Sequence, residues 1–274
     1  MKLSIGGYSF NKTVLAGKMD IFGYLETVKY RYRLDTVDLW NGTFTERREG
    51  LWAPPEESYL RLIREALDEK EMTVVNYAVD GAHLWDPDPD KREALARNAR
   101  AHLRAAELLG ARTVRIDTGT DGTMEMGEEQ FDYTVRLYRE YAERADGHGY
   151  RVGPENHMGP SLVPASMKRI AEAVEHPGYG ILLHLDRWKQ DAAIGDRLVA
   201  PWVCHTHFDG RTSAPGAAEP LVRMLLDAGY DGYWGIEYNA EGNQYAEVEW
   251  ALASVRSALS RVYGEINGAS RPLQ

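Results

Sequence analysis

Three carboxylates and one imidazole stand at or near the C-terminal ends of four short apolar runs in the second half of this chain. The runs read RVGPENH, GILLHLD, VCHTHFD and YWGIEYN, and the residues are Glu155, Asp186, His207 and Glu237. Such a mixture of oxygen and nitrogen donors suits one divalent ion, with Mn²⁺ the first expectation and Mg²⁺, Co²⁺ or Zn²⁺ the others. It does not suit a structural zinc held by thiolates. The spacing is about one strand plus one crossover helix per residue. Parallel strands joined by helices end on one face, so the four side chains are expected to converge there.

Neighbouring residues in these runs extend the set. His205 and His207 alternate with Thr206 and Phe208, so both imidazoles face one side of a strand. One is expected to bind the ion and the other, His205, to meet substrate or orient its neighbour. His184 and Asp186 likewise share a face; Asp186 lies closer to the strand end and is the expected ligand, with His184 deeper. His157, two residues after Glu155, is a candidate for substrate binding.

The elements that must position these residues are legible as an alternation. Strand candidates are KLSIGGYSF, TVDLW, TVVNYAVD, TVRIDTG and the four runs above, eight in all, with WVCHTHFD as the full seventh. Between them lie stretches of helical period; Leu95, Ala99, Leu103 and Ala106 fall on one face, followed by Leu109. Gly110, Gly149 and Gly229 mark helix-to-strand passages, as C-terminal caps do. Uninterrupted alternation over 274 residues predicts a single-domain α/β (β/α)₈ TIM barrel, here residues 1–263, with a flexible C-terminal tail from 264 to 274. SIGGYSFNK has neither the Rossmann nor the P-loop spacing, which argues against a dinucleotide enzyme.

These segments resemble the xylose-isomerase-like TIM-barrel superfamily of sugar isomerases and epimerases over almost the whole chain, through ENHMG, LHLD, HTHFDG and GIEYN. The resemblance implies one divalent ion on Glu155, Asp186, His207 and Glu237, with Glu155 and Glu237 doubling as the acid/base pair. One departure stands out. Many epimerases and the related apurinic endonucleases have a histidine three residues after the sixth-strand aspartate, where this chain has Lys189. A protonated lysine is no ligand, so a trinuclear site is not expected, and Lys189 is assigned to a substrate oxygen.

The expected chemistry is proton transfer beside a ketone, through an enediolate, in a keto sugar or polyol-derived ketone. The alternative keeps the enolate and expels a leaving group beta to it. That would make the chain a lyase or dehydratase acting on a keto-inositol or a 3-keto glycoside, with His157, His205 or Lys189 as the acid. Asn76, Trp40 and Arg211 complete the expected substrate contacts, and Tyr8, His83 and Asp117 stand as weaker candidates at strand ends. For Trp40, core packing is the competing role.

Composition bounds the rest. A formal charge of −10 speaks against a nucleic-acid surface, although a local basic groove can sit on an acidic protein. The single cysteine, Cys204, excludes an intrachain disulfide. No apolar run approaches a membrane span, and the strand-like start leaves no room for a signal peptide, so the expectation is a cytoplasmic protein acting on a small carbohydrate. A homo-oligomer or a partner subunit is compatible with all of this.

Overall fold

The computed structural model describes residues 1–48, 50–119 and 122–269. Ten strands are present among them: β1 (Leu3–Ile5), β2 (Thr36–Trp40), β3 (Glu46–Arg48), β4 (Leu51–Ala53), β5 (Thr73–Val79), β6 (Thr113–Ile116), β7 (Arg151–Gly153), β8 (Ile181–His184), β9 (Val203–Phe208) and β10 (Tyr233–Ile236). Nine α-helices accompany them: α1 (Asn11–Leu15), α2 (Ile21–Glu26), α3 (Glu57–Glu69), α4 (Pro89–Leu109), α5 (Glu128–His148), α6 (Pro164–Val174), α7 (Ala192–Val199), α8 (Ala218–Asp227) and α9 (Gln244–Ala269).

Eight of the strands close into a parallel barrel. Two four-stranded sheets, ordered β1-β10-β9-β8 and β2-β5-β6-β7, are sewn together at both seams. Gly6 bridges to Asp38 on one side, while Val152 and Glu155 bridge to Tyr179 and Leu182 on the other. The fold is a TIM barrel, as the alternation predicts. The expected helical face of α4 is buried, and Leu95, Ala99, Leu103, Ala106 and Leu109 all lie on it. Gly110 ends the helix at φ 71°, a left-handed cap that costs a side-chain-bearing residue more.

The strands are shorter than the apolar runs that announce them. β7 stops at Gly153, before Pro154, which has no N–H for a ladder. β10 stops at Ile236 and β8 at His184. Glu155 and Glu237 therefore stand just beyond their strands, at the mouth of the barrel. Gly235 makes room beneath them: a Cβ there would lie 2.4 Å from the Thr206 carbonyl oxygen and 2.9 Å from His205 Nε2.

Two features depart from uninterrupted alternation. After β2 the chain forms an antiparallel hairpin, β3–β4, pairing Arg47 with Trp52. It is tied to α4, because the Trp52 carbonyl accepts from Asn98 Nδ2 (2.9 Å) and His102 Nε2 (2.7 Å). At the other end, α9 runs to Ala269, so the boundary expected at 263 falls inside a helix. Residues 270–274 of the expected tail lie outside the described residues. None of the described helices is long and apolar enough to cross a membrane.

His102 gives the fold a pH dependence of definite sign. A carbonyl can only accept, so Nε2 carries the proton and Nδ1 accepts from the Tyr77 hydroxyl at 2.8 Å. Burial brings its pKa down from 6.5 to about 4, against the pull of the Trp52 carbonyl and Asp80. The unfolded chain takes up this proton first as pH falls. The contribution of His102 is thus intact above pH 6.5 and is lost progressively toward about pH 4. Equilibrium denaturation across that window should show a loss of roughly 3 kcal/mol from this group, and the His102→Gln variant should show a correspondingly flatter profile. Parallel pH profiles for the two proteins would remove His102 as the cause.

Candidate functional site

Four buried side chains converge where β7, β8, β9 and β10 end. They are Glu155, His184, His207 and Glu237, and one donor atom from each lies within 4.8 Å of the others. His184 Nδ1 is 3.2 Å from Glu155 Oε1 and 3.8 Å from Glu237 Oε1. His207 Nδ1 is 3.4 Å from Glu237 Oε2 and 3.9 Å from Glu155 Oε1, and it has no hydrogen-bond partner among the described residues. Four donors held about 2.1 Å from one ion would stand about 3.4 Å apart if tetrahedral, so the residues present fit a divalent cation.

Asp186, expected from the sequence as the fourth member, is not among them. β8 ends at His184, and past that point alternation no longer dictates which way a side chain points. Asp186 lies in a left-handed turn at φ 57°, with its carboxylate ion-paired to Arg211 outside the barrel mouth. Its N–H donates to the Asp196 carboxylate at 3.0 Å, and Trp188 Nε1 donates to the same group at 2.6 Å. Burial lifts Asp196 to about 6 despite these donors. The turn is thereby fixed, with Asp186 facing outward.

Below the cluster, Asp38 crosses the barrel from β2. Its Oδ2 accepts from His205 Nε2 at 2.6 Å and His207 Nε2 at 2.8 Å, and its Oδ1 accepts from Asn76 Nδ2 at 2.7 Å. Asn76 Oδ1 in turn accepts from Thr113 Oγ1 at 2.8 Å. Burial pushes the Asp38 carboxyl up, but His207 and His205 together hold it well below the usual carboxylate range. Burial disfavours a charge on His207, but Glu237 and Asp38 raise its pKa well above the ordinary value. The network aims Nε2 at Asp38 and Nδ1 at the two glutamates, and an ion bound there would displace the Nδ1 proton. His205 and Asn76, expected to meet substrate, instead support this carboxylate from inside the barrel.

Above the cluster opens a pocket of about 170 Å³, lined among others by Tyr8, His83, Arg115, Asp117, His157 and Arg187. Arg115, on β6, is buried among three carboxylates: Asp80 at 2.8 Å, Asp117 at 2.9 Å and Glu155 at 3.3 Å. Arg187 Nη1 lies 3.1 Å from Glu155 Oε1. Burial raises the Glu155 carboxyl, but His157, His184, His207 and Arg187 outweigh it and hold the group well below its ordinary range. His157 Nδ1 is 3.1 Å from Asp117 Oδ2. Burial disfavours its charged form, yet Asp117 and Glu155 lift it to about 9.

The remaining expected contacts fall elsewhere. Trp40 is buried, and its Nε1 donates to Asp80 Oδ2 at 2.7 Å, so it braces the pocket wall without lining it. Lys189 is exposed, with its backbone N–H on the Leu162 carbonyl, and Arg211 is spent on Asp186. Neither lines the pocket. Asp38, Asp80, Arg115 and Arg187 were not expected. Asp38 and Arg115 did leave a signal, a charge inside an otherwise apolar strand (TVDLW and TVRID), which must find a partner when buried.

The sequence profile of the xylose isomerase-like TIM barrel family matches residues 34–258, and the chain belongs to that family. No curated protein matches the chain in sequence. Among solved structures it is similar to L-ribulose 3-epimerase, at TM-score 0.73 and 12% identity over 99% of each chain. It is also similar to the probable 3-DHS dehydratase AsbF of petrobactin synthesis from Bacillus anthracis, at TM-score 0.69 and 15% identity over 93% of this chain and 99% of that one. A third is 3-keto-D-glucoside 4-epimerase, YcjR, from E. coli, at TM-score 0.64 and 13% identity over 87% of this chain and 94% of that one. At these identities the likeness is one of fold.

The Asp38 network generates a direct test. Asp38→Asn keeps the shape but removes the charge that orients His207. Zn²⁺ affinity of chelator-stripped protein, measured by calorimetry, should fall about 10- to 100-fold while circular dichroism stays unchanged. Unaltered affinity would mean that the carboxylate does not support the site.

Proposed function

We propose that this chain is a divalent-metal-dependent isomerase or epimerase acting on a small keto sugar or polyol-derived ketone. The observation that carries the reading is the placement of Glu155 and Glu237, from β7 and β10, around one candidate ion site and along one pocket. Support also comes from the chemistry named for the similar folds, two sugar epimerases and a dehydratase. The reading includes a free small carbohydrate as partner and the cytoplasm as location.

A divalent ion held by the cluster would supply Lewis-acid stabilisation of the negative charge that develops on a substrate oxygen. The protein's own residues do the rest. One glutamate takes the proton beside the ketone, and the other returns a proton to the opposite face. Arg187, His157, His83 and Tyr8 line the pocket and offer donors to substrate oxygens. The pocket is lined by both glutamates, so a small molecule seated in it would meet them directly.

The glutamates are not equivalent, and this favours the lyase as the second reading. Glu155 lies against two guanidiniums, Arg115 and Arg187, whereas the ion-pair partners of Glu237 among the described residues are the two histidines alone. In that case Glu237 is the single base, and His157, backed by Asp117, donates a proton to the leaving group.

Hydrogen exchange separates the readings. Metal-loaded protein in D₂O should introduce deuterium beside the carbonyl of a ketose substrate. Glu155→Gln and Glu237→Gln, with metal content measured on the same samples, should each lose at least about 10²-fold in kcat if both transfer protons. A fully metallated Glu237→Gln protein with normal turnover and exchange would sink both readings. Loss in Glu237→Gln alone, with β-elimination of a suitable substrate, would select the lyase.

A further inference from the structure

The fourth donor decides which ion this site is built for. Resting on the metal-dependent reading above, we propose that Glu155, His184, His207 and Glu237 form a site of two nitrogens and two oxygens. That site selects a borderline cation such as Zn²⁺, Co²⁺ or Fe²⁺ over Mn²⁺ or Mg²⁺. A site of three carboxylates and one imidazole is what the sequence pattern alone suggests. Replacing one carboxylate by an imidazole lowers the negative charge and softens the donor set, and both changes disfavour the hard cations that bind oxygen and water.

His184 is built as a ligand would be. It is 1% exposed, and its Nδ1 faces both glutamates at 3.2 and 3.8 Å. Its Nε2 points the other way, 3.9 Å from Asp209 Oδ2, and has no hydrogen-bond partner among the described residues. Asp209 is itself fixed, its Oδ1 accepting from Thr212 N at 2.7 Å and Thr212 Oγ1 at 2.9 Å. The arrangement parallels His207, whose Nδ1 faces the cluster while Nε2 meets Asp38. The outer nitrogen of His207 is hydrogen-bonded to a carboxylate at 2.8 Å, whereas that of His184 has one only nearby, at 3.9 Å.

Two further contacts hold the coordination number down. Both Glu155 oxygens lie against a guanidinium, Oε2 at 3.3 Å from Arg115 Nε and Oε1 at 3.1 Å from Arg187 Nη1, which disfavours a bidentate grip on an ion. Asp186 is removed from competition by its outward turn and its pairing with Arg211. A compact set with one oxygen from Glu155 suits four-coordinate ions better than Mg²⁺, which demands an octahedron.

The test uses full-length, chelator-stripped protein and reads binding rather than turnover. Competitive titration gives the ratio of the Mn²⁺ to the Zn²⁺ dissociation constants for the wild type, His184→Asp and Asp186→Asn. The ratio should fall at least about tenfold in His184→Asp, which restores an oxygen donor, and stay unchanged in Asp186→Asn. The visible spectrum of Co²⁺ bound to the wild type should be that of a four-coordinate ion with nitrogen donors, a readout that holds even if His184→Asp does not fold. A six-coordinate Co²⁺ spectrum, an unchanged ratio in His184→Asp, or weakened binding in Asp186→Asn would overturn the assignment while leaving a metal site in place. A wild type that binds none of these ions would overturn the metal-dependent reading as well.

Discussion

Burying several carboxylates side by side is the constraint that the centre of this barrel is organised around. Asp38, Asp117, Glu155 and Glu237 are all at most 9% exposed, and each would repel the others if left uncompensated. The chain answers with buried cations and donors: Arg115 among Asp80, Asp117 and Glu155, and His205 and His207 on Asp38. A charge removed from either arrangement leaves its partner stranded in a low-dielectric interior. Glu155 and Glu237, facing the inner nitrogens of His184 and His207, are the groups that would draw a divalent cation to this end of the barrel.

That compensation is unevenly distributed, and the unevenness is chemically informative. On the β6–β7 side the guanidinium of Arg115 fills the space among the acids, and Arg187 adds a second against Glu155. On the β9–β10 side only imidazoles meet Glu237 among the described residues. Glu155 therefore faces two guanidiniums, while Glu237 faces imidazoles alone among the described residues. The same pocket wall carries the Asp117–His157 pair, so donors and acceptors face each other across a small volume. On the proposed reading, epimerisation and elimination would share this requirement up to the enolate.

Rigidity around the cluster comes from connections beyond the strands. Trp40 and Asn41 both bond to Asp80, which in turn accepts from Arg115. The turn after β8 is held by Asp196 through Trp188 and the Asp186 backbone. Asn156 joins the β7 and β8 loops, donating to the His184 carbonyl at 2.8 Å and accepting from the His184 N–H at 2.7 Å. The segments after β2, β5, β7 and β8 are thus held by polar contacts that limit how far the side chains they carry can move.

The alternation of apolar runs with amphipathic helices determined the barrel. The residue types at the run ends marked Glu155, His207 and Glu237 as side chains that would share a face. Those are local properties, set by period and by the fixed direction of parallel strands. The choice between His184 and Asp186 was not local: period-2 alternation places both on one face only while the strand continues, and β8 stops at His184. Asp38 was equally out of reach, because it lies 169 positions from His207 and meets it only when the barrel closes. Arg115 and Arg187 find their carboxylates by the same closure. The sequence could say which residues carry charge into the interior, but only the closed sheet decides which charges become neighbours, because contact across a barrel depends on register and shear rather than on spacing along the chain.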